Sequence, residues 1–113
     1  MNRAGIEAFC LSLPGAVLDY PFGPNAAIYK VGGKMFCGQG IGEGVSFKVS
    51  DMAYEILTQN GLAQPAPYLA RAKWVNLSDA AQWSDDELTA HLRAAYDLIV
   101  AKLTRKARAE LGL

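Results

Sequence analysis

The sequence predicts an α+β domain, an antiparallel sheet with helices packed on one face, in the order α-β-β-β-α-β-β-α. Three observations predict it. Gly32-Gly33 stands between two alternating runs and supplies the positive φ angles that a two-residue hairpin turn requires. Ser84-Asp-Asp-Glu87 forms a capping box in front of a long stretch of apolar residues at helical spacing. Between these lie short runs rich in β-branched and aromatic residues, bounded by Gly, Pro and Asn, which read as strands.

The elements follow in order. Asn2 caps a first helix, in which Ile6, Phe9, Cys10 and Leu13 form one apolar stripe, and Pro14-Gly15 ends it. Asp19–Asn25 is a turn-rich loop with two prolines. In the hairpin Ala27–Gln39, pairing Val31 with Lys34 sets Tyr29 opposite Phe36 on one face and leaves Ile28, Lys30, Met35 and Cys37 on the other. Gly38–Gly44 reads as a flexible connector, and Val45–Val49 as a third strand with Val45, Phe47 and Val49 inward. Ser50 caps a second helix, Asp51–Asn60, with Ala53, Ile56 and Leu57 inward and Asn60-Gly61 as its stop. Leu62–Ala66 is a short strand held to an edge by Pro65, and Lys73–Leu77 is the last strand. The final helix runs over Asp85–Glu110 with Leu88, Leu92, Ala95, Tyr96, Ile99 and Leu103 on its stripe and Trp83 stapled to Leu88.

A chain of 113 residues makes one domain, 1–113, without room for a second core. Eleven Lys+Arg balance eleven Asp+Glu, so the strongly basic footprint of an electrostatic nucleic-acid binder is missing, although a local basic patch is compatible with that sum. No apolar run approaches the roughly 20 residues that span a bilayer, and the N-terminal stretch lacks a signal-peptide layout. Cys10 and Cys37 read as reduced, buried thiols. The expected setting is cytoplasmic, with no membrane partner.

No residue set declares a reaction. Gly38-x-Gly-x-Gly-x-Gly44 has neither phosphate-loop spacing nor a helix after it. His91 has no second histidine and no cysteine at ligand spacing, and Asp85-Asp86-Glu87 sits where capping and the helix dipole account for it. Cys37 lacks a neighbour that would lower its pKa, and no serine lies in a nucleophile-elbow context. Catalytic, metal and cofactor sites are therefore all read as none. A pocket holding His91 with a carboxylate is the observation that would favour an enzyme. Among the basic residues, Lys34 occupies the hairpin tip, Lys30 and Lys48 project from the face opposite the aromatics, and Arg71 and Lys73 flank the last strand near Tyr68 and Trp74. Tyr20, Phe22, Tyr68 and Trp74 read either as a recognition surface or as packing under loops, with packing preferred for Phe22 and Trp74.

Six segments in order carry a family resemblance: Leu11-Ser-Leu-Pro-Gly-Ala16, Tyr20-Pro-Phe-Gly23, Lys30-Val-Gly-Gly-Lys-Met-Phe36, Phe47-Lys48, Pro67-Tyr-Leu-Ala-Arg-Ala-Lys-Trp-Val75 and Tyr96-Asp-Leu-Ile-Val-Ala-Lys-Leu103. Together they resemble the bacterial MmcQ/YjbR family, whose fold is described as α-β(3)-α-β(2)-α. Ala95 departs from the Ser-Tyr pair typical of that helix. The resemblance implies a non-enzymatic module that binds DNA through a double wing of sheet hairpins. Lys34, Lys48, Arg71 and Lys73 would then touch phosphates, with Tyr68 and Trp74 shaping the surface. The alternative is a protein-interaction adaptor or chaperone-like module, favoured if Ile28, Met35 and Trp74 are exposed.

Overall fold

Gly32 and Gly33 adopt φ of 60° and 79°, and the left-handed turn they make joins β2 (Ala27–Val31) to β3 (Lys34–Gln39). The computed structural model describes all residues, Met1–Leu113, and the sheet extends to either side of this hairpin. Its remaining strands are β1 (Val17–Asp19), β4 (Val45–Lys48), β5 (Gln64–Pro65) and β6 (Trp74–Leu77). The six strands pair antiparallel throughout in the order β1-β2-β3-β4-β6-β5. Pro65 sits on the outermost strand, where its missing N–H costs no ladder bond. β1 is a strand beyond those expected from the sequence.

The hairpin register holds only near the turn. Val31 faces Lys34 and Lys30 faces Met35, but Tyr29 faces Cys37 instead of Phe36. A bulge between Tyr29 and Lys30 leaves Phe36 as the extra residue of β3. Phe36 and Cys37 consequently both join the core; Cys37 is buried as expected, but not on the face opposite Phe36. The bulge has a packing reason: the Phe36 ring meets Tyr96 edge-on, 5.5 Å between centroids at 84°.

Helices cover one face of the sheet. α1 (Arg3–Ser12) starts where Asn2 Oδ1 accepts from the Gly5 amide at 2.8 Å, and it buries Ile6 and Cys10. α2 (Asp51–Gln59) is capped by Ser50 and buries Leu57, while Ile56 lies 51% exposed, contrary to its expected inward position. The expected last helix is two. α3 (Asp85–Lys102) ends at Leu103, and Thr104, accepting from Ala107 N, caps α4 (Arg105–Glu110). Ser84 Oγ accepts from Glu87 N and donates to the Glu87 carboxylate, both at 3.1 Å, so the return bond of the capping box comes from the hydroxyl and not from the Ser84 amide. Trp83 packs on His91 and Phe47 and donates from Nε1 to Leu62 O at 3.2 Å.

The opposite sheet face is not open to water. Ile28, Ser46 and Asn76 are all buried there, and Trp74 is only 4% exposed. Asn76 Nδ2 donates to Ser46 Oγ and to Glu43 O, each at 2.9 Å, which ties the β3–β4 connector down over the sheet. That connector is tight, not flexible: Gly40, Gly42 and Gly44 all have positive φ, and Gly44 lies directly against the end of β6. Loops thus form a second cover: Trp74 is packed, as preferred from the sequence, and the exposure of Ile28 and Trp74 that would favour the adaptor alternative is absent.

Candidate nucleic-acid interface

Antiparallel pairing gathers basic side chains at one end of the sheet. The Gly32-Gly33-Lys34 tip, the C-terminal end of β4 with Lys48, and the N-terminal end of β6 behind Lys73 all lie there, because Cys37 faces Phe47 and Lys48 faces Trp74. α3 brings its C-terminal end to the same place: a Cβ on Gly32 would stand 2.7 Å from Leu103 Cδ2. Lys102, Arg105 and Lys106 flank that contact in sequence. The other end holds Glu43 and Asp79 on its loops and Asp85, Asp86 and Glu87 in the first turn of α3. The 18 residues of α3 separate the two ends by about 27 Å. Zero net charge therefore conceals a partial segregation, with Asp51 beside Lys48 at the basic end and Arg3 in one cleft with Asp79 at the other.

Lys48 sits at the centre of the basic end. Its ammonium donates to Ala72 O, and no carboxylate pairs with it. Partial burial pulls its pKa below the usual lysine value, and Lys102 and Lys73 push the same way; Asp51 opposes them. Lys73 follows a short 3₁₀ turn, Ala70–Ala72, and occupies the left-handed region at φ 61°. Its ammonium lies 4.7 Å from the centre of the Tyr54 ring, a cation–π contact that holds the charge at the surface. Lys34 and Arg71 are exposed. Lys30 turns away from this group to Asp19, 2.9 Å from its Oδ2, and that bond lowers the Asp19 pKa.

The aromatic residues fall elsewhere. Trp74 is buried under the loops, so its ring is closed to a partner. Tyr68 is 99% exposed at φ 66°, but it lines a cleft with Phe22, Pro24 and Ile41 near the connectors of the other end. Phe22 itself is 63% exposed, which overturns its expected packing under the loops. Of the residues expected to act together, Lys34, Lys48, Arg71 and Lys73 share a region; Tyr68 and Trp74 do not join it. Lys102, Arg105 and Lys106 do, although from sequence they looked fully explained by the helix dipole.

His91 lines a groove between α2 and α3 that also includes Asp97. The two are six residues apart, about 9 Å of helix rise, and no hydrogen bond links them. Asp97 instead accepts from Arg93 Nε at 3.2 Å, while the His91 ring lies 4.7 Å from that of Trp83, tilted by 45°. Burial lowers the His91 pKa, against an opposing pull from Glu87. This is not the geometry of an acid–base pair.

Sheet order and helix placement together define a small α+β domain in which one antiparallel sheet is covered by helices on one side and by loops on the other. The YjbR family model matches residues 11–98, and the chain belongs to the YjbR family. Its structure is similar to the crystal structure of Deinococcus radiodurans protein DR2400, of the family-model domain DUF419. The TM-score is 0.86 at 27% identity, covering 97% of this chain and 87% of that one. No curated protein matches the chain. No helix is long and apolar enough to cross a membrane.

Proposed function

We propose that this chain is a small, non-enzymatic, cytoplasmic module that binds DNA weakly and largely without sequence preference through its basic end. The observation that carries the reading is the convergence of Lys34, Lys48, Lys73 and Lys102 from separate elements, with no carboxylate paired to Lys48. Phosphates supply the missing counter-charge, and the hairpin tip reaches along the backbone. The sheet face is loop-covered, so contact comes from the end of the sheet and not from an open β-surface. About four phosphate contacts give a dissociation constant on the order of 10⁻⁴–10⁻⁶ M at physiological salt.

Titration against duplex DNA at two salt concentrations tests this. Four contacts predict a logarithmic slope near −3.6, hence roughly 150-fold weaker binding at 200 mM than at 50 mM salt. Lys34→Ala reduces that slope by about 1, and Arg93→Ala, midway along α3, leaves it unchanged. Salt-independent binding, or none tighter than about 10⁻⁴ M at low salt, refutes the reading.

A protein-interaction adaptor is the second reading, and one observation favours it. Met52 (74% exposed) and Ile56 stand one turn apart on α2 as an uncovered apolar strip. A partner retained after nuclease treatment and lost in Ile56→Asp would select it.

A further inference from the structure

The groove between α2 and α3 has a volume of about 390 Å³, within the range of small-molecule sites. Its walls are Val49 and Ala53 on one side and Ala94, Leu98 and Ala101 on the other. The room exists because alanines face each other where larger side chains would fill the gap. Along α3 it runs from His91 to Ala101, about 15 Å. One end is bordered by His91, whose ring lies 4.7 Å from that of Trp83, tilted by 45°. At the other end Lys48 lines the groove, and Lys102 follows Ala101 directly.

Those two ammonium groups act on each other; Asp51 offsets Lys48 in part, but neither lysine forms an ion pair with a carboxylate. The one carboxylate in the wall, Asp97, is engaged by Arg93. An apolar trough ending in two ammonium groups without an ion-pair partner complements a molecule with an apolar body and a single anionic head. A polyanion has no use for the apolar floor, and a neutral apolar ligand leaves the charge unanswered. We propose that the groove binds a small amphipathic carboxylate, its body against Val49, Ala53 and Leu98 and its head at the Lys48–Lys102 end. This site is separate from the nucleic-acid reading in its floor, although Lys48 borders both.

The test is a calorimetric titration of the intact chain with decanoate, 1-decanol and decyltrimethylammonium, each below its micelle concentration. Decanoate is expected to bind, with the alcohol about tenfold weaker and the ammonium weaker still. Lys48→Met with Lys102→Met should bring decanoate and decanol to within about threefold of each other. Ala94→Phe, at an exposed helix position that tolerates the ring, should weaken decanoate about tenfold or more by filling the trough. Equal affinity for decanoate and decanol in the unmodified chain overturns the proposal. So does an Ala94→Phe variant that binds decanoate as before, or the absence of decanoate binding at millimolar concentration.

Discussion

Gly44 and Gly33 provide a matched pair for testing the close approach of the β3–β4 connector to the sheet. Both have positive φ, 70° and 79°, so alanine at either position incurs a left-handed backbone penalty of about 1–2 kcal/mol. They differ in what the new methyl meets. At Gly33 there is nothing within 4 Å. At Gly44 the Cβ would stand 1.8 Å from Leu77 O and 2.6 Å from Ser78 O, both backbone atoms that no rotamer change can move. Relief requires shifting the end of β6 away from β4, at the expense of the Val45–Leu77 pairing and the Asn76–Glu43 bond. At ~1 kcal/mol net per bond, with strain on top, Gly44→Ala should cost about 3–5 kcal/mol in all. For a domain of this size the melting temperature falls by about 4 °C per kcal/mol, so thermal unfolding should register ~4–8 °C for Gly33→Ala and ~12–20 °C for Gly44→Ala. A Gly44→Ala protein melting within 2 °C of the parent, or above Gly33→Ala, refutes the tight connector and restores the flexible, accessible one that its glycine spacing implies.

Two titrations give further outcomes. Burial favours neutral His91 in the folded state, whereas the unfolded chain takes up its proton near pH 6.5; stability therefore falls as pH drops through 6.5 toward the lowered folded value. Melting temperatures at pH 7.5 and 5.5 should differ less in His91→Gln than in the parent, and an equal difference rejects the assignment. At the alkaline end, burial drives the Tyr29 hydroxyl up to about 12, partly offset by the bond from Gln39. The unfolded phenol ionises first, so stability is lost as pH rises from 10 toward 12, and Tyr29→Phe should flatten that loss when unfolding is followed by circular dichroism.

Much of the fold is readable from local chemistry. Gly32-Gly33 fixes the hairpin because only glycine tolerates two consecutive positive φ angles cheaply, and Ser84 and Ser50 cap helices at the expected positions. What was not readable depends on tertiary contacts. β1 has three residues, too few for a period of two to stand out in the sequence, and β2 supplies its partner. The bulge at Phe36 answers to Tyr96, sixty positions away, which no local pattern reports. The apolar stripe runs on through Leu103, Ala107 and Leu111 and so hides the break that Thr104 caps. Alternation of Phe47 with Ser46 and Lys48 suggests a wet outer face, yet the Gly40–Gly44 and Pro67–Ala72 loops cover it and bury Trp74.

The candidate site divides along the same line. Residue type marked Lys34, Lys48, Arg71 and Lys73, but their company at one end depends on β4 pairing with β6, and that of Lys102 depends on Leu103 meeting Gly32. The helix dipole explains Lys102 and stops there. Lys34 lies in a hairpin, Lys48 at a strand end and Lys73 after a 3₁₀ turn, and none of the three is helped by a helix C-terminus of eight or more residues. Lys48 is held partly desolvated beside two like charges, an arrangement that costs stability unless an anion completes it. Asp51 offsets part of that cost from the first turn of α2 without pairing to Lys48, and three further acids stand together in the first turn of α3 at the far end. Electrostatic conflict that is only partly relieved within the chain is the feature on which the proposed contact with an anionic partner rests, and its relief by phosphate is what the salt titration reads.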